Sequence, residues 1–270
     1  MPEPFLTGKT ALVTGATRGI GFAIAQALAN AGARVAICGR SQAGVDAAVS
    51  RLTETLPAGP GGQAPGRKVA GKVADVRAST DVAALFEWVA AQIGGPDILV
   101  NNAGVGIMKS TAELTVEDWR ETIDTNLSAA FYCSREALRR MKSRGAGYII
   151  NIGSLAGKSA FAGGAAYNAS KFGLNGFSEA MMLDHRYDNV RVTHIMPGSV
   201  DTDFSSPSKA TRSSAQGSKA EGSIEEDAEK RKAHWKIAPQ DIGEIVLMLL
   251  RMPERTLVSQ VEVRPAKPRK

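Results

Sequence analysis

The stretch TALVTGATRGIGFAIAQALANAG, residues 10–32, sets a short apolar run directly against a glycine-spaced turn and then a segment of helical period. A run such as TALV suits a buried strand, and the alanine-rich segment that follows suits a helix packed against it. Gly15, Gly19 and Gly21 fall where strand gives way to helix, in a GxxxGxG spacing. Glycine there permits a tight turn and a close approach of backbone N–H groups to a bound anion, and the N-terminus of the next helix favours negative charge. A glycine triplet alone means little, so its weight depends on what the rest of the chain does.

The same alternation recurs. ARVAICGR (33–40) precedes AGVDAAVSRLTETL (43–56), KVAGKVADV (68–76) precedes DVAALFEWVAAQI (81–93), and DILVNNAG (97–104) precedes one long periodic stretch, TVEDWRETIDTNLSAAFYCSREALRRM (115–141). GYIINIGS (147–154) is followed by AYNASKFGLNGFSEAMMLDH (166–185), VRVTHIMPG (190–198) by PQDIGEIVLMLLR (239–251), and TLVSQVEVRP (256–265) closes the series. The strands are nearly continuous in apolar character, as strands covered on both faces should be. Strand and helix in alternation predict an α/β fold: one Rossmann-type, doubly wound parallel sheet of about seven strands with helices on both faces and right-handed crossovers, in a single domain over 1–270. In that setting the glycine turn predicts a dinucleotide whose pyrophosphate lies at the helix N-terminus.

Two segments interrupt the rhythm. LPAGPGGQAPGRK (56–68) reads as a Pro/Gly-rich connector. Residues 205–235, rich in Ser, Lys and Glu, form a polar excursion between the sixth strand and its helix, with Ile224 and Trp235 among its few apolar residues. By composition it is a flexible or partly helical excursion.

Hydrophobic residues at 43% and charged residues at 22% are those of a globular protein. The beginning, MPEPFLTGKT, has no secretory pattern and no window offers the roughly 18 apolar residues of a membrane span, so a cytoplasmic protein is expected. Cys38 and Cys133 lie in apolar periodic segments without a metal-ligand spacing and predict buried thiols and no metal. The net charge of +6 is spread over local clusters at 139–144, 229–236 and the tail 264–270. With no aromatic-basic recognition pattern, nucleic acid is not an expected partner.

The end of the second strand indicates which dinucleotide. A carboxylate there would bind the ribose hydroxyls of NAD, whereas this chain has Gly39 and then Arg40, with Arg18 inside the glycine turn. Two guanidinium groups and no acid favour the 2′-phosphate of NADP(H).

Tyr167 and Lys171 stand four residues apart in AAYNASK, hence on one face of a helix. A phenol with its ordinary pKa of about 10 is a poor acid or base at neutral pH, and a neighbouring ammonium would bring it toward a useful range. Ser154, at the end of the fifth strand, and the NNAG of residues 101–104 fall at the carboxyl edge, where such sheets bind ligands. Asn126 sits inside a helical stretch that asparagine does not favour, either for a site function or as a solvated or locally bonded residue.

These motifs, with PGSVDT at 197–202, resemble in order and spacing those of the short-chain dehydrogenase/reductase family, most closely the NADP-dependent 3-oxoacyl-(acyl-carrier-protein) reductase kind. The resemblance implies catalytic Asn126, Ser154, Tyr167 and Lys171. Ser154 would hold a carbonyl oxygen and Tyr167 donate its proton. Lys171 would lower the phenol's pKa and bind the nicotinamide ribose, and Asn126 would hold a water connecting Lys171 to solvent. It further implies cofactor contacts from Gly15, Thr17, Arg18, Gly19, Ile20 and Gly21, from Asp75 and Val76 at the adenine, and from Asn102 and Gly104. Pro197, Gly198, Val200 and Thr202 would border the nicotinamide. At 205–235 the resemblance implies a lid over substrate, against the alternative of a passive surface loop. Asp75 also reads as a strand-end cap for the next turn, and Pro197 and Gly198 as purely structural. The basic tail departs from the family's usual ending, which leaves a homodimer or a homotetramer open. A non-catalytic dinucleotide sensor is the alternative function, and the substrate is a 3-oxoacyl thioester or another ketone.

Overall fold

The computed structural model describes residues 4–56, 68–202, 204 and 235–267. Most of the Pro/Gly connector, nearly all of the polar excursion and the last three tail residues therefore lie outside the described residues.

Seven strands, β1 (Thr10–Val13), β2 (Arg34–Gly39), β3 (Val69–Val73), β4 (Ile98–Asn101), β5 (Gly147–Ile152), β6 (Val190–Pro197) and β7 (Gln260–Val263), form one sheet in the order β3-β2-β1-β4-β5-β6-β7. Every neighbouring pair is parallel. The chain starts in the middle, builds outward to β3, then returns to β4 beside β1, which creates a switch point where two successive crossovers diverge. Among the described residues, seven α-helices accompany the sheet: α1 (Gly19–Asn30), α2 (Gln42–Glu54), α3 (Ser79–Ile93), α4 (Val116–Ile123), α5 (Ala129–Arg144), α6 (Ala165–His185) and α7 (Pro239–Arg251).

Strand alternation divides the apolar core in two. Ala11, Val13, Val35, Ile37, Val100 and Ile150 join residues of α1, α2 and α7 on one face. Leu12, Ala36, Leu99 and Ile149 join α3, α5 and α6 on the other. The central strands β1 and β4 are wholly buried, as two-sided coverage requires. The edges depart from that expectation: β3 is half-buried and β7 alternates exposed and half-buried, because the helices stack over the middle of the sheet. Cys38 and Cys133 are free and buried, and burial pushes the Cys38 thiol up to about 11.

The long periodic stretch of 115–141 is not one regular helix. α4, opened by a Thr115–Asp118 capping box, passes into a π-turn at Asp124–Ser128 before α5 begins. The wider turn inserts extra backbone into an otherwise continuous rod, a feature often found where a side chain must be re-aimed. Here it carries Asn126 into the interior, 2% exposed.

Candidate active site

The carboxyl ends of β1, β2, β4, β5 and β6 border a cleft of about 1140 Å³. The glycine turn forms one wall. Gly15 has φ +61°, and a Cβ there would fall 2.7 Å from Cα of Ala103, so the turn and the NNAG stretch touch backbone to backbone. The Asn102 amide donates to the carbonyls of Thr14 and Gly15 at 3.0 Å each, and a Cβ on Gly21 would stand 2.3 Å from that amide nitrogen. Asn102 thus clamps the turn from behind, and only glycine fits against it. Thr17 packs on Gly39, where a Cβ would meet its methyl at 2.5 Å. Arg18 precedes α1 with extended backbone and no side-chain cap, so the first N–H groups of the helix face the cleft without an internal partner. An exposed set of amides beside a space that a Cβ would fill fits a pyrophosphate.

Gly19, Ile20, Val76, Gly104, Pro197, Gly198, Val200 and Thr202 all line the same cleft. The Thr202 methyl group lies 3.3 Å from where a Cβ on Gly19 would be, which brings the loop after β6 onto the start of α1. Val200 bridges to Ile237, and the Asp201 N–H donates to the Ile237 carbonyl at 2.9 Å. The residues that flank the polar excursion are consequently tied together at the cleft rim.

At the far end Arg40 and Asp75 meet two residues that the sequence reading did not single out, Arg77 and Glu121. Asp75 is engaged by Arg77 through Nε and Nη2, the latter at 2.6 Å, and its Oδ1 accepts the Arg77 N–H at 3.1 Å. The strand-end cap is thus the role its side chain plays, although Asp75 also lines the cleft. The Arg77 guanidinium beside it holds the Asp75 carboxyl below its usual range. Glu121 accepts from Arg40 at 3.5 Å and lies 3.9 Å from Arg77. Arg77 follows Asp75 by two positions in DVR, and the signal was the basic residue just beyond the third strand.

Ser154, Tyr167 and Lys171 converge at the other end of the cleft. Ser154 opens a 3-10 turn, Leu155–Gly157, and accepts from the Ala156 N–H at 3.1 Å. That turn packs on α6 so tightly that a Cβ on Gly157 would lie 2.6 Å from the Lys171 carbonyl. Tyr167, in the first turn of α6, is 9% exposed and Lys171 4% exposed. The expected lowering of the phenol by the ammonium is not what the geometry gives. Burial pushes the Tyr167 phenol up, and the Ser154 hydroxyl is the group that pulls it back. Lys171 Nζ stands 5.8 Å from the Tyr167 ring centre and donates instead to the Ile152 carbonyl at 3.1 Å. Burial lowers its own pKa to about 8.

Asn126 is the expected site residue that does not line the cleft. Its Oδ1 accepts from the Val105 N–H at 2.8 Å, while its amide donates to the Val105 carbonyl at 2.9 Å and to Ser170 Oγ at 3.0 Å. The side chain thus props the loop after NNAG, because the π-turn points the amide at that loop, and one lone pair of Oδ1 is left for a further donor. Below Ser154 lies another residue not anticipated, His194 of β6, 1% exposed.

Residues 9–213 match the short chain dehydrogenase family. A 3alpha-hydroxysteroid dehydrogenase of Mediterraneibacter gnavus is 36% identical over 199 residues, 74% of this chain and 76% of the relative. A 3-oxoacyl-(acyl-carrier-protein) reductase of Pseudomonas aeruginosa is 38% identical over 199 residues, again 74% and 76%. Among solved structures, a metagenomic short-chain oxidoreductase in complex with NADP aligns with TM-score 0.76 at 32% identity, covering 97% of this chain and 99% of that one. An actinorhodin polyketide ketoreductase with NADPH aligns with TM-score 0.80 at 32% identity, covering 95% and 96%. The seven-stranded parallel sheet, the clamped glycine turn and the Ser–Tyr–Lys convergence are carried by a chain that belongs to the short-chain dehydrogenase family.

Proposed function

We propose that this chain is an NADP(H)-dependent oxidoreductase that interconverts a carbonyl and an alcohol, with Tyr167 as proton donor and acceptor. The observation that carries the reading is the convergence of Ser154, the buried Tyr167 phenol and Lys171 at one end of a cleft whose wall is the glycine turn. NADPH, when bound, supplies the hydride. Ser154 would hold the carbonyl oxygen and Tyr167 would give it a proton in reduction; in the reverse direction the phenolate would take the proton from the alcohol. Burial keeps the phenol protonated at neutral pH, the state that reduction requires. Lys171 supplies positive charge beside the phenol and the ribose, and Asn126 acts at one remove by fixing the Val105 loop.

Arg18 and Arg40 line the cleft beside Arg77, which supports NADP(H), as do the NADP and NADPH complexes of two solved relatives. Gly15, Thr17, Ile20, Asp75, Val76, Asn102 and Gly104 border the adenosine and pyrophosphate, and Pro197, Gly198, Val200 and Thr202 the nicotinamide. A pure cofactor sensor would have no use for the serine and tyrosine. Exposed Val116, Trp119, Phe131 and Phe172 on α4, α5 and α6 support a homo-oligomer joined through those helices; a cytoplasmic location is part of the same proposal.

Tyr167→Phe should reduce ketone-dependent NADPH oxidation by at least ~100-fold. Its NADPH affinity, measured by fluorescence titration, should stay within a few-fold of the parent. Full activity in the variant overturns the assignment.

A further inference from the structure

The ending VEVRP, residues 261–265, lies against both the loop of Gly198 and the turn of Ser154, two residues that line the cleft. β7 pairs with β6 in the register Met196↔Glu262 and Pro197↔Val263, so its last residues run beside the loop that begins at Pro197. The Gly198 N–H donates to the Val263 carbonyl at 2.7 Å. A Cβ on Gly198 would fall 3.1 Å from Cδ1 of Leu155 and 3.2 Å from Cδ of Pro265. At that glycine the loop after β6, the turn after Ser154 and the end of the chain therefore meet.

An ion pair joins the same ending to the same turn. Lys158 follows the 3-10 turn Leu155–Gly157, and its N–H donates to the Leu155 carbonyl at 2.9 Å while its ammonium donates to Glu262 Oε1. Glu262 Oε2 accepts from Arg264 Nη2 at 2.9 Å, so both carboxylate oxygens are engaged and the group is held in one orientation. On its other side the turn meets α6, where Gly157 lies against the Lys171 carbonyl. So short a 3-10 turn has little rigidity of its own, and its place is set by what grips it. Ser154 moves with it, because its hydroxyl accepts from the Ala156 N–H at 3.1 Å.

The Lys158 and Glu262 side chains are 38% and 35% exposed. An ion pair that open to water adds little to the stability of the whole fold. A small displacement of a group that must meet the reacting atoms costs rate steeply. Resting on the reading of Ser154 as the group that holds the carbonyl oxygen, we propose that Glu262 is a positioning residue for the reaction: through Lys158 it fixes the Ser154 turn against the loop that begins at Pro197. Val263 and Pro265 complete the clasp at Gly198.

The test is a cycle of three variants of the full chain: Lys158→Met, Glu262→Gln and the two together. Each is assayed by NADPH oxidation with ethyl acetoacetate and with 2-decalone, by fluorescence titration with NADPH and by thermal melts. Glu262→Gln should lower kcat roughly fivefold to twentyfold. Its NADPH affinity should stay within about twofold of the parent and its Tm within about 2 °C. Lys158→Met should behave alike, and the double variant should lose no more than either single one, because all three break one link. Lys158→Arg keeps a cationic donor and should recover most of the rate. Parent-like kcat in Glu262→Gln, losses that multiply in the double variant, or a loss of rate matched by a large fall in Tm overturns the proposal alone. A parent that oxidises NADPH with neither ketone overturns it together with the underlying reading.

Discussion

A Cβ at residue 153 would fall 1.9 Å from Nε2 of His194, so the backbone just before Ser154 rests directly on a buried imidazole. No rotation of a flexible side-chain end relieves this, because the ring is 1% exposed and its Nδ1 is paired with Asn175 Oδ1 at 3.2 Å. Gly153→Ala should therefore destabilise the protein by about 1–3 kcal/mol in urea unfolding, as overpacking does. It should also displace Ser154 and lower turnover. Adding His194→Ala should return much of the stability. Gly153→Ala as stable as the parent would show that the ring moves freely.

The same imidazole makes the fold acid-sensitive. Burial, reinforced by the charges of Lys171 and Lys158, lowers the His194 pKa from 6.5 to about 4. Between those values the unfolded chain binds the proton and the folded one does not, so stability falls as pH drops from about 6.5 toward 4. The loss reaches about 3 kcal/mol at the lower end. His194→Gln should flatten that part of the profile relative to the parent, and parallel profiles for the two proteins would remove His194 as the cause.

The sheet was legible because seven apolar runs alternate with helical periods, and the cleft because its glycines and arginine occupy strand-to-helix turns. Tyr167, Ser154 and Lys171 could be placed on one sheet edge from position alone. The π-turn could not, since an apolar period continues through residues 115–141 whether or not one turn is wider. For the same reason, the inward turn of Asn126 to Val105 and Ser170 had no local signature. Nor could a spacing of four reveal that burial outweighs the lysine in setting the phenol. That balance depends on Ile152, Gly157 and the Ser154 turn closing over α6 from distant parts of the chain.

Lys171 is held at a cost to the fold. Its pKa falls from 10.5 to about 8 because the ammonium is buried, equivalent to about 3 kcal/mol of penalty below pH 8. Above the folded value the native state sheds the proton before the unfolded state does, so this penalty diminishes as pH rises from about 8 toward 10.5. Lys171→Met should eliminate turnover yet unfold at a higher temperature at pH 7, less the hydrogen bond to Ile152, and the advantage should shrink by pH 10. A variant less stable than the parent at both pH values would show that the ammonium is well compensated in place.

At the end of the cleft that holds Arg40 and Arg77, cations and carboxylates are nearly matched, and this bears on how NADP(H) would be read. Arg77 is chelated by Asp75, while Arg40 is 59% exposed at its side chain and, among the described residues, pairs with Glu121 at 3.5 Å. A 2′-phosphate brings more charge and more acceptor oxygens than one carboxylate, so it should draw Arg40 from Glu121 more easily than Arg77 from Asp75. Arg40→Ala should then raise the KM for NADPH roughly 10-fold to 100-fold while changing that for NADH only about twofold to threefold. Arg77→Ala should show a smaller discrimination, and Glu121→Gln, by freeing Arg40, should tighten NADPH at low salt more than at high salt. Steady-state kinetics with both cofactors at two ionic strengths measures all three. Equal losses for NADPH and NADH in Arg40→Ala would mean that the guanidinium does not meet the 2′-phosphate.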